Sequence, residues 1–591
     1  MNALAAASGN PTPRALRALS VALILAAAFS YAFVPVRACN DVWWHLKTGK
    51  LILEAGGRLP LNDPFTFTAQ DIPWHNHEWL AQIVFYKLFQ WGGGVAANLI
   101  GLRLLVAFVA LATAAAFLLV FLAVQQRCRC VPLAALISLL ALDVARHNLY
   151  PRPPAFTYLF MAAFLLILQH WKSQRWPRWT LALLPPTMIL WANLHGGFII
   201  GLLLIGFYGA GEAAEQFLWK QDDLATRSAD QSAQSRHAWR SRLLWLCGTF
   251  AACALATLCN PYGYHLYELY FRVMGSSALV KTIAELRSPF GPDARHFLSF
   301  FIMGGLIIAT LGVVRFTKRT HPPAADLLIL LFFGYEAVRH IRHLPLFGIA
   351  CAPILGWTSG QLLDLDGGQL RRRVAWLSTA AAILFASYCI GWRSFPETYW
   401  NRNAALAGGV TYIEINFPKA VCDFIVQNEV PGPMFNPVNV SGYLIWRLSP
   451  EAHKLFTDNR FDVFGDRFIW DEFVVKHGIE ANDWDQIDWQ KAGLTDREGQ
   501  QVRDQCKSSG WTDILDRWKI NFVVAERSWA LCSRMSASPA WERVFSWVKP
   551  PYVDPSDGYD VFIRRTEANR ETISRCKRYF EQMQSFGRTR P

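Results

Sequence analysis

Long apolar segments divide the first 391 residues of this chain, and they constrain its fold more than any other feature. A segment of about 17–25 residues is long enough for a helix to cross a hydrocarbon core of about 30 Å. The sequence therefore predicts an α-helical polytopic membrane protein with about eleven spans. The predicted spans are 15–35, 98–124, 131–146, 154–171, 180–194, 197–218, 242–259, 297–315, 324–339, 344–361 and 374–391.

Basic residues cluster in alternate loops between these segments. Cytoplasmic loops carry an excess of Lys and Arg, so we place these loops and the N-terminus in the cytoplasm. The odd number of spans then predicts an extracytoplasmic C-terminal part. The stretch 180–218 allows two interpretations, two short spans or one span with a re-entrant piece. The basic loops contain Arg14 and Arg17; Arg127 and Arg129; Lys172, Arg175 and Arg178; 220–242; Arg315, Lys318 and Arg319; and Arg371–Arg373.

The net positive charge of the chain, +13, comes entirely from its apolar part. Residues 392–591 contain 26 basic and 27 acidic side chains and are near neutral. The basic excess is therefore a signal of membrane topology, and no zinc-ligand, helix-turn-helix or RNA-binding signature supports nucleic-acid binding. The twelve cysteines lack paired metal-ligand spacing, and four of them lie in the tail, where one or two disulfides are allowed.

The sequence predicts two domains. Residues 1–391 form the membrane domain, which includes a first outer loop, 36–97, with helical pieces at 43–55 and 78–90. Residues 392–591 form a water-soluble α/β domain. We interpret the N-terminus as a retained span rather than a cleaved signal peptide. In the tail, strand-like runs occur at 454–457, 521–525 and 561–563, and helical stretches at 417–429 and 508–518.

The first outer loop contains the acidic candidates. Asp41 follows the first span, and His45 lies four residues later, on the same face of a helix. A carboxylate there can accept a proton, bind a cation or hold an arginine. Trp74, His77 and Glu78 follow as candidates for substrate binding or for support of Asp41, together with Trp44. The structural alternatives are an interfacial helix cap and a loop-to-helix junction with Glu78 in the first turn.

Arginines lie at the predicted outer ends of four spans. Arginine is costly near lipid and should face a cavity, a carboxylate or a phosphate; the alternative is snorkelling to the headgroups. Two outer clusters run against the positive-inside bias, which favours binding of an anion such as a lipid phosphate. The candidates are Arg146, Arg152, Arg339, Arg342 and His343.

Asn193 and His195 precede Gly196 and Gly197 at a break between two apolar runs. Glycines there allow close approach of the backbone to a ligand. Close helix packing by small residues is the alternative explanation. We retain Asn193 and His195 as candidates for substrate binding.

Several motifs resemble a group of bacterial polytopic proteins that look like GT-C superfamily glycosyltransferases of the protein mannosyltransferase and aminoarabinose transferase type. The resemblance covers essentially the whole chain. It rests on segments 41–50, 62–68, 77–82, 191–198 and 258–263 and, in the tail, 442–446 and 458–462.

The resemblance implies inverting transfer of a sugar from a polyprenyl-phosphate donor to a glycan, lipid or protein acceptor outside the cytoplasm. It implies the bacterial inner membrane and a periplasmic tail. Asp41 matches the location of the superfamily's acidic residue in the first outer loop, but position 39 is Cys and position 40 is Asn, so the usual acidic pair is missing. Asp63 or Glu78 would have to supply a second carboxylate. A divalent cation, Mg²⁺ or Mn²⁺, held by Asp41 is the candidate cofactor.

Three other classes of function remain open from the sequence. A transporter for a lipid-linked solute predicts an internal repeat and charges at mid-membrane, neither of which we find. A ligase of lipid-linked glycans would use the same outer arginines. A non-catalytic assembly protein would bind partners through its exported tail.

Overall fold

The computed structural model describes residues 14–33, 40–94, 100–218, 229–268, 284–291, 294–318, 320–364, 369–394, 417–460, 463–464, 466–487, 489, 495–549, 554 and 556–587. Its contacts divide the chain into two compact units. Unit 1 comprises 1–36, 88–264 and 285–395, and unit 2 comprises 37–87, 265–284 and 396–591. The contacts thus group the first loop with the tail. The predicted domain boundary at 391/392 stays a prediction, since it borders residues 395–416, which lie outside the described residues.

Unit 1 is a bundle of apolar helices, and each of the predicted spans coincides with one of them. The 180–218 stretch forms two helices separated at His195, which matches the first of the two interpretations of this stretch. The helices are α1 (Arg14–Ala32), α4 (Ile100–Cys128), α5 (Val131–Ala145), α6 (Pro154–Lys172), α7 (Leu184–Leu194), α8 (Ile199–Leu218), α9 (Ala229–Thr257), α10 (Leu298–Lys318), α11 (Ala324–Arg339), α12 (Leu344–Leu363) and α13 (Gln369–Ser394).

Among the described residues, 8 helices are long and apolar enough to cross a membrane, and α7, α9 and α11 do not meet that requirement. The core of unit 1 lies along α5, α6 and α12, since 72% of the apolar stretch of each of these helices is buried within the protein. In α10 and α13 only 22% of the apolar stretch is buried. Apolar helices with so little protein cover are suited to contact lipid.

Charged residues inside unit 1 are paired at one end of the bundle. Arg127, in the last turn of α4, donates to Asp326 at the start of α11 at 2.5 Å. Lys172 and Arg242 both reach the buried Glu212, at 3.4 and 3.1 Å. Pairing of this kind lowers the cost of charge in an apolar environment. The three basic residues come from loops that the sequence analysis groups on one side of the membrane.

Unit 2 combines helices with a small sheet of order β1-β2-β4-β3, in which β1 and β2 are parallel and the other pairs antiparallel. The elements are α2 (Asp41–Glu54), α3 (Trp79–Trp91), α14 (Lys419–Gln427), β1 (Met434–Phe435), α15 (Ser441–Leu448), α16 (Asp466–His477), α17 (Asp496–Cys506), α18 (Trp511–Arg517), β2 (Phe522–Glu526), α19 (Ala530–Ala537), β3 (Trp541–Val548), β4 (Gly558–Arg564) and α20 (Arg570–Gly587).

The strand predictions at 521–525 and 561–563 are confirmed, since 522–525 fall in β2 and 561–563 in β4. The strand predicted at 454–457 does not join the sheet. Leu455 instead bonds with the first loop, donating to the carbonyl of Phe65 at 2.9 Å and accepting from the amide of Phe67 at 3.1 Å. The strand-like run there pairs with a distant loop, which sequence reasoning did not anticipate.

Candidate active site

Asp41 is the first residue of α2, where the helix dipole favours a carboxylate. Its Oδ1 accepts a hydrogen bond from Nδ2 of Asn459 in the tail. The preceding Asn40 also bonds the tail, because its Oδ1 accepts from the amide of Tyr443 at 3.1 Å. A Cβ on Gly442 would lie 2.1 Å from the carbonyl oxygen of Asn40, so this approach requires glycine. The candidate base therefore lies in a segment that two tail motifs hold.

His45 and Glu78 form a buried pair one helical turn after Asp41. The Nδ1 of His45 lies 3.7 Å from Oε2 of Glu78, and the side chains are 2% and 10% exposed. The Nε2 of His77 lies 3.8 Å from the other carboxylate oxygen of Glu78. Trp44 packs on the imidazole of His45 with a centroid distance of 3.7 Å. The structure thus brings together four candidates that the sequence separates by about thirty residues.

Arg460 occupies the centre of a buried ionic network in unit 2. Its Nη2 donates to Asp63 at 2.5 Å and to Asp458 at 2.6 Å, and all three side chains are fully buried. The guanidinium also lies over the rings of Trp74 and Phe65, at 4.5 and 4.8 Å from their centroids. Burial acts to lower the pKa of Arg460, but Asp458 and Asp63 outweigh it and raise that pKa. Trp74 therefore contacts an arginine, and substrate binding by Trp44 and Trp74 stays a prediction.

The donor set around Asp41 does not fit a divalent cation, which prefers several oxygen ligands. Asp63, a sequence candidate for the second carboxylate, is already bonded by Arg460 and by the amides of Phe65 and Thr66. Glu78 lies between two imidazoles. Asp41 accepts from an amide nitrogen, which is a donor and not a metal ligand. No group of three His, Cys, Asp or Glu side chains within the described ranges could hold a metal ion.

Arg146 belongs to a separate network in unit 1. Its Nη1 lies 3.1 Å from Oδ1 of Asp143, a residue of α5 that is 3% exposed. Tyr31 donates to the same carboxylate at 2.6 Å, and Ser299 donates to its other oxygen. The Nη2 of Arg146 donates to the carbonyl of His296 at 2.7 Å. These bonds give Arg146 a structural role, and its predicted role in anion binding stays a prediction.

Arg152, Glu285, Arg339 and Arg342 form what we call the arginine cluster. Arg152 donates to Glu285 at 2.8 Å. Burial acts to raise the pKa of Glu285, but Arg152 and Arg342 together outweigh it, so the pKa lies below its usual value. Arg339 and Arg342 are exposed. Arg339 stacks on Tyr335 and donates to its hydroxyl at 2.9 Å, whereas Arg342 makes no hydrogen bond or ion pair with any residue the structure describes.

Backbone contacts assemble this cluster from three separate loops. The carbonyl of Ile341 accepts from the side chain of Asn148 at 3.1 Å, and the amide of Ile341 donates to the carbonyl of Arg287 at 2.9 Å. His340 contacts the carbonyl of Leu286 at 2.7 Å. The loops after α5, before α10 and after α11 thus meet at one end of unit 1, as the predicted topology requires. His343 lies beside them and is paired with Glu336 at 2.9 Å.

Asn193 and His195 have protein partners in the same unit. Asn193 donates to the carbonyl of Cys259 at 3.1 Å and accepts from Asn260 at 3.2 Å. The Nδ1 of His195 lies 2.7 Å from the hydroxyl of Thr157 and accepts from the amide of Gly197. These contacts support the packing alternative at this break, and a role in substrate binding stays a prediction.

Sequence reasoning missed the residues that hold the candidates in place. Asp143 lies inside an apolar span, and a lone acid there was the available signal for a buried ion pair. Asn459 and Arg460 lie within the tail motif 458–462, which was recognised as part of the resemblance without a role. A distant pairing of this kind leaves no periodic trace in one sequence.

No protein-family model and no curated protein matches the chain. Solved structures do match. The archaeal oligosaccharyltransferase AglB from Archaeoglobus fulgidus, in complex with an inhibitory peptide and a dolichol-phosphate, is similar at a TM-score of 0.51, with 13% identity over 88% of this chain and 70% of that chain. AglB belongs to the GT-C superfamily of polytopic membrane glycosyltransferases.

The chain has the GT-C fold. Two further structures of the Archaeoglobus fulgidus oligosaccharyltransferase match at TM-scores below 0.5, from which we draw no conclusion. One is tethered with an acceptor peptide containing the NVT sequon and has a TM-score of 0.49, with 15% identity over 93% of this chain and 74% of that chain. The other is a complex with Zn and sulfate. It has a TM-score of 0.48, with 14% identity over 85% of this chain and 68% of that chain. The sequence resemblance to the GT-C superfamily is confirmed at the level of the fold.

Proposed function

We propose that this protein is a membrane glycosyltransferase that moves a sugar from a polyprenyl-phosphate donor to an extracytoplasmic acceptor with inversion. The observation that carries the proposal is the GT-C fold, which matches AglB over 88% of this chain. In that structure AglB is bound to a dolichol-phosphate and an inhibitory peptide. A lipid-linked donor is therefore the first substrate class to test, and a peptide is one acceptor class beside glycans and lipids.

In the proposed reaction Asp41 takes the proton of the acceptor hydroxyl or amide while the acceptor atom bonds to the anomeric carbon. The bond from that carbon to the donor phosphate breaks, and the lipid phosphate leaves with the electron pair. Glu78 supports Asp41 through His45, which pairs with Glu78 and lies one helical turn from Asp41. General-base catalysis of this kind contributes about 10²–10⁴-fold. No step requires a metal ion.

The arginine cluster is the proposed site for the departing lipid phosphate. Arginine forms bidentate bonds with phosphate, and exposed guanidiniums are available to do so. Arg342 and Arg339 fit this role best, because neither is paired with a carboxylate among the described residues. Arg152 contributes from its pair with Glu285. We further propose a bacterial inner-membrane location, with a cytoplasmic N-terminus and a periplasmic tail.

The test is transfer of sugar by the purified full-length protein in lipid nanodiscs. The donors are polyprenyl-phosphate-linked sugars and the acceptors are a peptide, a glycan and a lipid. We expect Asp41→Asn to lower the transfer rate by about 10²–10⁴-fold and to leave donor binding unchanged. Asp71→Asn, at an exposed carboxylate in the same loop, is the matched control and should retain activity. Full activity of Asp41→Asn would disprove the base role.

A non-catalytic assembly role is the second candidate, because the first loop is bonded to the tail through Asn40, Asp41 and Asp63. Such bonding also suits a purely structural loop. The same assay separates the two functions. An assembly protein would transfer no sugar from any donor in the panel, and Asp41→Asn would behave as the wild type does.

A further inference from the structure

We propose that Asn459 is a positioning residue that fixes the Asp41 carboxylate for transfer, so that the tail forms part of the reaction site. The proposal rests on the proposed function and assigns the segment 458–460 a part in it. The sequence suggests for the tail only the binding of partners, and only if the protein is a non-catalytic assembly protein.

The amide of Asn459 is held in one orientation. A carboxylate can only accept, so the Nδ2 of Asn459 faces Asp41 and donates to it. The Oδ1 of Asn459 then lies 3.3 Å from the hydroxyl of Ser441, which also donates to the carbonyl of Val438 at 2.6 Å. Asn459 therefore donates to one carboxylate oxygen of Asp41 and carries no charge of its own.

The backbone on both sides of Asn459 is fixed by the buried network of Arg460. Asp458 accepts from the amide of Arg460 at 2.8 Å and from its Nε at 3.0 Å, which closes a tight turn around Asn459. Arg460 then bonds Asp63 in the first loop. The turn 458–460 thus makes two contacts with the first loop. Asn459 bonds Asp41, and Arg460 bonds Asp63 in the segment that follows α2. Because a small displacement of a catalytic group can cost about 10²-fold in rate, such rigid support matters for turnover.

The kinetic parameters kcat and KM distinguish a positioning role of Asn459 from a role in substrate binding. A group that orients the base acts in the transition state and changes kcat, whereas a group that binds the acceptor uniformly changes KM. We therefore expect Asn459→Ala to lower kcat about 10–100-fold, with less than twofold change in the acceptor KM and in donor affinity. Asn459→Asp keeps the shape but removes the donor and adds a like charge, so its loss should be at least as large. Asn459→Ser retains a hydroxyl donor and should recover part of the rate.

The experiment compares these variants in the nanodisc transfer assay and includes a thermal unfolding control. The matched control is Gln500→Ala, which removes an exposed amide-to-carboxylate bond of 2.9 Å to Asp504 elsewhere in the tail. Residues that act as a unit are not additive. Asp41→Asn combined with Asn459→Ala should therefore be no slower than Asp41→Asn alone.

Three outcomes would overturn the positioning role. They are a wild-type kcat in both Asn459→Ala and Asn459→Asp, a raised KM with unchanged kcat, and additive losses in the double variant. If these occur while Asp41→Asn is inactive, the proposed function stands and only the role of Asn459 is lost. If the wild-type protein transfers no sugar, both proposals fail together. Should Asn459→Ala unfold at a lower temperature, the comparison of Asn459→Ser with Asn459→Asp carries the test.

Discussion

The Asp41 region of unit 2 and the arginine cluster of unit 1 are organised in opposite ways. Around Asp41 the polar groups are buried or half-buried and bonded to one another, and the side chains of Asp63, Asp458 and Arg460 have 0% exposure. In the arginine cluster, Arg339 and Arg342 are exposed and neither is paired with a carboxylate among the described residues. The contrast teaches that one region has a fixed geometry, whereas the other keeps charge available for a ligand.

The physical cost of burial explains the difference. A buried charge is tolerated only when its partners and hydrogen bonds are complete. Such a network holds its members in one arrangement, which suits a group that must meet a reacting proton. An exposed guanidinium keeps its hydration and can exchange water for phosphate oxygens. It therefore suits a mobile lipid anion better than a reacting centre.

The largest expected effect comes from breaking the network of the Asp41 region. Arg460→Met removes the cation and leaves two buried carboxylates, Asp63 and Asp458, without their partner. Loss of one member of a buried ion pair costs about 3–5 kcal/mol. We expect a large fall in the unfolding temperature of the detergent-solubilised protein.

The matched control for that prediction is Arg503→Met. Arg503 pairs with Asp485, whose side chain is 78% exposed, at 2.5 Å. An exposed pair of this kind contributes about 0–1 kcal/mol, so its loss should change stability little. Equal stability of the Arg460 and Arg503 variants would contradict the view that unit 2 depends on a buried ionic network.

This network also marks the limit of what one sequence predicts. The apolar runs identify the helices of unit 1, because each span buries a face over many consecutive residues. The segment 454–457 reads as a strand, yet Leu455 pairs with the first loop, almost four hundred residues earlier in the chain. Asp63 reads as a possible second acid, and Arg460 uses its carboxylate instead. Contacts between segments so far apart depend on tertiary packing, which local patterns do not encode.

For the candidate site, the sequence predicts neighbours better than partners. His45, His77 and Glu78 come together as expected of a loop that folds into two helices, α2 and α3. The role of Arg146 is harder to predict, because its partner Asp143, three residues earlier, is a lone acid in an otherwise apolar span. The ion pair is visible only once α5 is known to be buried and to face Tyr31.

Arg342 offers the sharpest test of the arginine cluster. Because Arg342 is exposed and forms no ion pair with a carboxylate within the described ranges, Arg342→Ala should leave the unfolding temperature nearly unchanged. If it binds phosphate, the Kd for a polyprenyl phosphate should rise about tenfold, equivalent to about 1.4 kcal/mol. The measurement is binding of polyprenyl phosphate to the protein in nanodiscs.

Arg315→Ala is the matched control for Arg342→Ala. Arg315 is an exposed arginine in the last turn of α10, in a loop predicted to be cytoplasmic. Its loss should change the Kd less than twofold. Equal weakening by both substitutions would indicate a nonspecific charge effect and not a site at the arginine cluster.

A smaller effect is expected when Glu472 in α16 is replaced. This substitution tests how far burial in unit 2 shifts the pKa of an acidic side chain. Burial raises the pKa of Glu472 from 4.5 to about 7, against the opposing effects of Lys476 and the amide of Val438, and with a further rise from Glu526. The folded protein therefore holds this proton more tightly than the unfolded chain does. Its stability should fall as the pH rises from about 4.5 to about 7.

Glu472→Gln removes this titration. Between pH 5 and pH 8, the free energy of unfolding of the variant should rise by about 1 kcal/mol relative to that of the wild type. This figure allows for the partly exposed side chain of Glu472. Thermal unfolding of both proteins at the two pH values measures the difference. A constant difference across this range would show that Glu472 keeps an ordinary pKa in the folded protein.

The smallest expected effect is that of metal removal, and it tests whether the bonding around Asp41 leaves room for a cation. Asp41 accepts from the amide of Asn459, and Asp63 is bonded to Arg460, so in the described part of the chain no second carboxylate completes a ligand set there. We expect EDTA treatment to change the transfer rate less than twofold, and added Mg²⁺ or Mn²⁺ to raise it no further. The control is metal analysis of the treated protein. Loss of activity that Mg²⁺ or Mn²⁺ restores would show that the bonds of Asp41 or Asp63 rearrange when substrate binds, and the contrast between a fixed and an open region would then fail.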